Sequence, residues 1–270
     1  MKCSLFMAVA ALICCAARAS FAGMVTASEN AANFGTLNQT NVGANTASGS
    51  NNFCAPTATM NSFTYLANTY PQVYGNSLLG GQANYLAAAQ VLASAPYMNT
   101  NVNTGTTESN WVNGKQAYLD KFAPGLTTYA GMDSDATNPR PAWDENANPT
   151  VFFLLNQLQQ GEDVELGIDP SAAGVGHVLT LTGLTWNDAN NNLTFDAGDT
   201  LTLNTIDPAN PGVNTPLTLS PGNPMTISGG AYNTYLLTGA LAESPVPEPA
   251  AVGLLLAAGA LLARRSRRLA

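Results

Sequence analysis

Cys54 and His177 are the residues of this chain that could perform nucleophilic catalysis. Cys54 stands in the segment NNFCAPTATM, where Pro56 suits the first turn of a helix. Unpaired N–H groups and the positive dipole end of a helix N-terminus favour the thiolate, which is the nucleophilic form of cysteine. His177 is the single histidine of the sequence. Because a cysteine nucleophile needs a base within hydrogen-bond reach, such catalysis requires the pair Cys54 and His177.

Both residues also have a purely structural interpretation. A free cysteine is often a small hydrophobic residue of the core. His177 lies in the segment GVGHVLTL, where it could be a buried histidine whose ring nitrogens are hydrogen-bonded. A catalytic interpretation therefore depends on a third residue that would orient the imidazole.

Asp207 is the residue that we expect in this third role. It stands in LNTIDPANPG, at the end of the predicted strand that follows the strand of His177. Neighbouring antiparallel strands bring the end of one close to the start of the other, so Asp207 could accept a hydrogen bond from the imidazole. The alternative is a turn residue, since Asp-Pro is common in turns.

Hydrophobic periodicity predicts the elements that must position these residues. Four segments have helical spacing of apolar residues: 55–71, 86–92, 109–122 and 151–160. After Gly161 the period falls to two and predicts six strands: 164–168, 176–186, 200–206, 216–219, 225–227 and 232–237. We expect residues 23–52 to be an irregular lead-in. Helices followed by strands predict an α+β fold with an antiparallel sheet.

The N-terminus predicts a secretory signal peptide over residues 1–22. Lys2 precedes an apolar run over residues 5–17, and Ser20 and Ala22 suit a cleavage site after Ala22. The alternative is a buried N-terminal helix. Cleavage would remove three of the four cysteines and leave Cys54, so no internal disulfide could form. A lone thiol in a secreted protein indicates a reactive or intermolecular cysteine.

The C-terminal residues 243–270 combine VPEP at 246–249, an apolar run at 250–263 and four arginines at 264, 265, 267 and 268. An apolar run of this length is shorter than the roughly 20 residues that span a bilayer. In this order the three parts resemble the PEP-CTERM sorting signal. The resemblance implies a short membrane helix that anchors the protein transiently in the inner membrane of a Gram-negative bacterium. It also implies that an exosortase cleaves near Pro-Glu-Pro and that export accompanies extracellular polysaccharide. The alternative is a plain C-terminal membrane anchor.

Charge excludes one class of partner. Between Gly23 and Ser244 there are sixteen acidic and three basic residues, so the formal charge is −13. Nucleic-acid binding requires a basic patch, which this surface cannot provide. The 46% of hydrophobic residues is sufficient for a packed core rather than a disordered acidic chain.

Three motifs together resemble papain-like cysteine peptidases, most closely the bacteriocin-leader-peptidase-like branch. They are CAPTA at 54–58 before a helix, GHV at 176–178 at the start of a strand, and DP at 207–208 after a strand. The resemblance covers about residues 45–210 and implies a papain-like domain over residues 23–242. It implies that Cys54 is the nucleophile, His177 the general base and then acid, and Asp207 the orienting residue.

The sequence departs from that family at the oxyanion donor. The family commonly has glycine after the cysteine, where this chain has Ala55, and glutamine about six residues before it, where this chain has Ser48. Gln39 lies much earlier in the chain. An asparagine amide can donate the same hydrogen bond, and Asn52 is therefore the oxyanion donor that we expect.

The segment DANNNLTFDAGD, hereafter the Asp/Asn loop (residues 188–199), has the spacing of a twelve-residue calcium loop. Leu193 replaces the usual turn glycine at position six, and position twelve is aspartate rather than glutamate. We expect a structural Ca²⁺ here and no other cofactor; the alternative is an Asn/Asp-rich hairpin turn. The ligand positions one, three, five, seven, nine and twelve are Asp188, Asn190, Asn192, Thr194, Asp196 and Asp199.

Together these features predict an exported cell-surface or extracellular-matrix protein with a thiol hydrolase domain. The expected substrate is a peptide, and the expected partners are an exosortase-type sorting enzyme and extracellular polysaccharide. One alternative is a catalytically inactive matrix or adhesion protein of the same papain-like fold. The other is an unrelated α+β adhesin.

Overall fold

The computed structural model describes residues 23–49, 51–134, 139–171 and 176–246. Two 3₁₀ turns, Ala31–Asn33 and Ser77–Leu79, accompany the helices and strands of these ranges. The helices are α1 (Gln39–Val42), α2 (Cys54–Thr69), α3 (Pro71–Tyr74), α4 (Tyr85–Ala93), α5 (Glu108–Phe122) and α6 (Val151–Gln159). The strands are β1 (Gly23–Ser28), β2 (Thr127–Asp133), β3 (Asp144–Glu145), β4 (Asp163–Pro170), β5 (His177–Asp188), β6 (Thr200–Ile206), β7 (Asn214–Ser220), β8 (Met225–Ser228) and β9 (Tyr235–Pro245).

Six of the described strands close into a ring, because β4 pairs with both β5 and β9. The order around the ring is β4, β5, β6, β7, β8 and β9, and every pair is antiparallel. The long strand β5 pairs with β4 through its first half and with β1 through its second half. Outside the ring, β2 pairs with β9, and the short β3 runs parallel to β2.

This topology shows that the predicted papain-like α+β fold is wrong. The described part of the chain is mostly antiparallel sheet closed into a six-strand ring, with few helices. Helices do not simply precede strands: β1 comes before every described helix, and β2 and β3 lie between α5 and α6. The sequence pattern does not predict β1, because the apolar Met24, which is 72% exposed, adjoins Val25 and breaks the alternation of apolar and polar residues. The expected irregular lead-in therefore begins with a strand.

Two clusters of buried apolar residues lie on the two faces of the ring strands. One cluster takes residues from all six ring strands and from α6, including Leu166, Leu181 and Leu203. The other is built mainly by α2, α4 and α5, and the sheet contributes Val178, Ile206 and Leu241 to it. Alternate residues of a strand point to opposite faces, so one strand can supply both clusters.

The predicted terminal segments lie mostly beyond this domain. Residues 1–22 and the apolar run at 250–263 lie outside the described residues. Among the described helices, none has the length and apolar character needed to cross a bilayer. Strand β9 continues to Pro245, three residues past the expected domain boundary at residue 242.

Candidate active site

Cys54 is the first residue of α2, at the edge of the helical cluster. The helix continues for 16 residues, and its buried part packs against β5. Phe53 precedes the helix without a side-chain capping bond among the described residues, so the first N–H groups of α2 remain available. The Cys54 thiol is half-buried, and the backbone N–H groups of Ala55 and Val178 donate to its sulfur. The sulfur thus lies where backbone dipoles stabilise negative charge.

His177 begins β5 and brings its imidazole to the thiol. Its Nε2 lies 2.9 Å from Oδ1 of Asp207, which ends up beside it because β5 and β6 are paired and antiparallel. The imidazole also forms a hydrogen bond with the Cys54 thiol, and Nδ1 is the ring nitrogen that remains for it. The side chains of His177 and Asp207 are only 13% and 10% exposed. The structure therefore brings together the three side chains that the sequence places in one catalytic group.

Tyr232 completes this arrangement and was not predicted as a site residue. Its hydroxyl donates a 2.5 Å hydrogen bond to Oδ2 of Asp207, and its ring stacks on the imidazole of His177 with centroids 5.2 Å apart. The N–H of Ala209 donates to Oδ1 of Asp207 at 2.8 Å. Tyr232 lies in the turn between β8 and β9, whereas the sequence pattern predicts that it begins a strand over residues 232–237. No local motif marks it, because its partners come from β5 and the end of β6.

The electrostatics of the group favour an ion pair. Burial alone raises the pKa of the Cys54 thiol, but the charge and hydrogen bond of His177 and the two backbone N–H donors outweigh it, so the pKa lies below its ordinary value. Burial lowers the pKa of His177, but Cys54 and Asp207 outweigh it and raise that pKa to about 10. For Asp207, burial is outweighed by the hydrogen bonds from His177 and Tyr232, so its pKa is lowered. A thiolate, an imidazolium and a carboxylate are the forms that this geometry stabilises.

The predicted oxyanion donor is engaged elsewhere. The side-chain amide of Asn52 donates to the carbonyl oxygen of Val102 at 2.9 Å. The backbone N–H of Cys54 lies in the first helical turn, where it has no intrahelical acceptor, so it can donate to an oxyanion. Gln39 is closer to the site than its sequence position suggests, since its side chain donates to the carbonyl of Asn51 at 2.8 Å.

A cavity of about 280 Å³ adjoins the thiol and the imidazole, and we call it the Cys54 cavity. One wall comes from the segment before α2, one from α5 and the residues before it, and one from β4 and the start of β5. The walls carry two acidic side chains, Glu108 and Asp169. The lining residues are Asn51, Asn52, Cys54, Ala55, Thr104, Gly105, Thr106, Glu108, Gly167, Ile168, Asp169, Gly176, His177 and Val178.

The Asp/Asn loop connects β5 to β6, the strands that carry His177 and lead to Asp207. Asp188 accepts from the backbone N–H of Leu193 at 2.8 Å, and Asp199 accepts from the N–H of Ala189 at 2.8 Å. Leu193 has a positive φ of 59°, the left-handed conformation that the missing glycine would have adopted easily. Asp196 accepts instead from the side-chain amides of Asn190 and Asn192. The carboxylates of Asp188, Asp196 and Asp199 therefore accept from different donors within the loop. Calcium binding stays a prediction.

A second acidic group was not expected and lies in the protein interior. Asp163 and Glu165 of β4 and Glu243 of β9 have carboxylate oxygens within 4.8 Å of one another, which is close enough for a divalent cation. However, Nζ of Lys115 from α5 already contacts Glu165 and lies 2.5 Å from Oε2 of Glu243. Lys115, Glu165 and Glu243 are all fully buried. We call Lys115, Asp163, Glu165 and Glu243 the Lys115 cluster. The ammonium of Lys115 supplies the positive charge in this cluster.

Comparison with known proteins adds no assignment to this geometry. No protein-family model matches the chain, and no curated protein matches it significantly.

Proposed function

We propose that this protein is an exported cell-surface or matrix protein whose described domain is a thiol hydrolase. The observation that carries the proposal is the connected group of Cys54, His177 and Asp207 beside the Cys54 cavity. A nucleophile, a base and a residue that orients the base are the parts that covalent acyl transfer needs. The expected substrate bond is the amide of a peptide.

The reaction would proceed by acyl transfer to the sulfur and then to water. The Cys54 thiolate attacks the carbonyl carbon, a carbon–sulfur bond forms, and the carbonyl π electrons move to oxygen. When these electrons return, the bond to the leaving amine breaks, and the imidazolium of His177 gives the amine its proton. Water then attacks the thioester while His177 takes a proton from it. Release of the acid product restores the thiolate and the imidazolium.

Each of the other residues would stabilise one stage of that sequence. Asp207 holds the imidazole by its Nε2 and stabilises the positive charge, while Tyr232 fixes Asp207 and covers the ring. The N–H of Cys54 would donate to the oxyanion. The partly buried site limits water around the ion pair, which strengthens the attraction between its charges.

The reactivity of the thiol tests this proposal. The chain without its signal peptide contains one cysteine, so iodoacetamide labels a single site. At pH 6, we expect Cys54 to alkylate faster than free cysteine, because more of it is thiolate, and His177→Ala to remove this advantage. Cys54→Ala controls for labelling elsewhere. Alkylation no faster than free cysteine, unchanged in His177→Ala, would contradict a catalytic thiol.

A second function, a non-catalytic matrix or adhesion protein, is favoured by one observation. The amide of Asn52 donates to Val102, so one of the two N–H groups of the expected oxyanion donor is engaged elsewhere. Loss of one such donor typically costs about 100- to 1000-fold in rate. A reactive Cys54 that cleaves no member of a diverse peptide library would favour this second function over the hydrolase.

The location belongs to the same proposal and rests on the two ends of the sequence. We expect export across the inner membrane, transient anchoring, and cleavage by an exosortase-type enzyme, with release to the surface or to a polysaccharide matrix. The intact mass of the protein recovered from its native producer tests this. Gly23 as the first residue, with the arginine cluster at 264–268 absent, is the expected result. A mass that retains either end contradicts the corresponding cleavage.

A further inference from the structure

The two acidic side chains of the Cys54 cavity come from different elements. Glu108 begins α5, and Asp169 lies near the end of β4. Glycines make room for both: a Cβ on Gly176 would overlap Oδ1 of Asp169, and a Cβ on Gly239 would lie 3.3 Å from Oε1 of Glu108. The other oxygen of Asp169 accepts a 2.6 Å hydrogen bond from Thr238. Packing thus restricts the positions of both carboxylates, and both residues line the cavity.

No lysine or arginine lines this cavity in the described part of the chain. Lys115 is buried with Glu165 and Glu243, and Lys121 is an exposed residue in the last turn of α5. Arg140 pairs with Asp144. The one cation in the wall is the imidazolium of His177, and the two negative charges of the Cys54 thiolate and Asp207 exceed its single charge. The two carboxylates therefore give the cavity a negative potential.

We propose that the Cys54 cavity binds a cationic group of the substrate, such as a lysine or arginine side chain or a free amine, beside the bond that is cleaved. This inference rests on the proposed hydrolase function and names its substrate class. A volume of about 280 Å³ is at the low end of the roughly 300–1,000 Å³ typical of small-ligand sites, so the cavity holds one side chain or a group of similar size.

Charge and polarity exclude the other substrate classes. An anionic group would face two carboxylates, and like charges in an enclosed site disfavour binding strongly. A purely aliphatic group would displace water from a wall that carries two carboxylates and would offer no charge or donor in its place. A cation is complementary in charge to both carboxylates.

Charged thiol reagents of similar size test the inference without a known substrate. The probes are 2-aminoethyl methanethiosulfonate, a cation, and 2-sulfonatoethyl methanethiosulfonate, an anion. The measured quantity is the ratio of their second-order rate constants with Cys54 at pH 7 and low salt, divided by the same ratio for free cysteine. We expect at least a tenfold preference for the cation, which falls as salt is added.

Two variants locate the preference in the cavity. Glu108→Gln and Asp169→Asn should each lower the normalised ratio about threefold or more. Asp120→Asn, which removes one exposed charge from the same helix as Glu108, should leave it nearly unchanged. The two variants alter different elements, so a folding defect in one of them leaves the other as a test. The salt dependence is measured on the unaltered protein and requires no variant.

The outcomes separate this inference from the proposed function. A normalised ratio near one in the unaltered protein overturns cation binding, at whatever absolute rate Cys54 reacts. An equal fall of the ratio in Asp120→Asn also overturns it, because the preference would then come from net charge. A fast reaction with neutral methyl methanethiosulfonate combined with a ratio near one leaves the hydrolase standing. A cation preference at an absolute rate below that of free cysteine would count against the hydrolase alone.

Discussion

The hydroxyl of Tyr232 donates to Oδ2 of Asp207, while the opposite oxygen of the same carboxylate accepts from His177. The ring of Tyr232 also lies against the imidazole, with an interplanar angle of 21°. One side chain therefore fixes both the base, His177, and the residue that orients it, Asp207. Tyr232 acts through the imidazole and the carboxylate that it contacts, so its role is to position these two residues.

Tyr232→Phe should raise the apparent pKa of Cys54 by about one unit. The ring still stacks on His177, but the carboxylate of Asp207 loses a hydrogen bond, and bonds to charged groups contribute about 1.5–3 kcal/mol. Without the hydroxyl, the carboxylate of Asp207 is no longer held in position against Nε2 of His177, so the pKa of His177 falls and that of the thiol rises. The pH dependence of the iodoacetamide reaction measures the change.

Tyr235→Phe is the matched control for that variant. Tyr235 contacts the ring of Tyr232 edge-on at 5.5 Å, and phenylalanine keeps this contact. Its pH profile should match that of the unaltered protein. An unshifted profile in Tyr232→Phe would show that the hydrogen bond to Asp207 does not tune the ion pair.

Lys115→Met should destabilise the domain by about 3–5 kcal/mol at pH 7, because it leaves buried carboxylates without their cation. Asp163, Glu165 and Glu243 surround the ammonium, which itself is fully buried. Chemical denaturation measures the free energy of unfolding. Lys121→Met, on the exposed side of the same helix, should change it by less than about 0.5 kcal/mol. Equal effects of the two changes would contradict a structural role for the Lys115 cluster.

The stability of the domain should fall as pH rises from about 4.5 to about 8, because Glu243 binds a proton in the folded state. Burial raises the pKa of Glu243 to about 8, and the nearby Glu165 adds to this against the pull of Lys115. Burial, Glu243 and Glu165 also raise the pKa of Asp163. Over that interval the folded chain holds protons that the unfolded chain releases, so each added pH unit costs about 1.4 kcal/mol per proton.

Comparison with Glu243→Gln isolates this contribution from other titrating groups. The amide resembles the protonated acid, so the variant should gain stability relative to the unaltered protein between pH 5 and pH 8. Glu145→Gln removes an exposed acid of β3 and should show no such gain. Parallel stability curves for Glu243→Gln and the unaltered protein would show that Glu243 is ionised in the folded state.

Calcium at millimolar concentration should stabilise the domain if the Asp/Asn loop binds it. Ligand at ten times its Kd raises the free energy of unfolding by about 1.4 kcal/mol. Thermal melts with calcium and with magnesium measure the effect. Calcium, the larger ion, should stabilise the domain more than magnesium does. Asp196→Asn, at ligand position nine, should abolish it. No uptake of calcium by isothermal titration would leave the loop as a hairpin turn held by its own hydrogen bonds.

Most of the site could be predicted from the order of three residues along the chain. Cys54 before a helix, His177 at a strand start and Asp207 after the next strand lie on elements that local periodicity predicts within a few residues. Tyr232 could not be found in this way, because its role depends on the turn between β8 and β9 returning to the end of β6. Closeness in sequence to Cys54 favours Asn52 as the oxyanion donor, but its side-chain amide donates to the carbonyl oxygen of Val102.

The fold was harder to predict than its elements. Alternation in β4 and β9 shows which residues share a face, but it does not say which strands are neighbours. The pairing of β4 with β9, which closes the ring, joins segments separated by the whole of β5 to β8. The Lys115 cluster shows the same limit: Asp163 and Glu165 alternate with apolar residues as on a solvent-facing strand, yet both are fully buried and Lys115 of α5 contacts Glu165.

Ring closure also sets the order in which this chain can fold. Strand β9 comes last in sequence among the ring strands, and its partner β4 begins at Asp163, opposite Glu243. A chain that emerges N-terminus first, from a ribosome or a secretion channel, cannot complete the ring until residue 245 has emerged. Chains that stop before β9 would present the open edges of β4 and β8, which favour pairing with other molecules. Truncation just ahead of the last strand should therefore cause aggregation rather than a smaller folded protein.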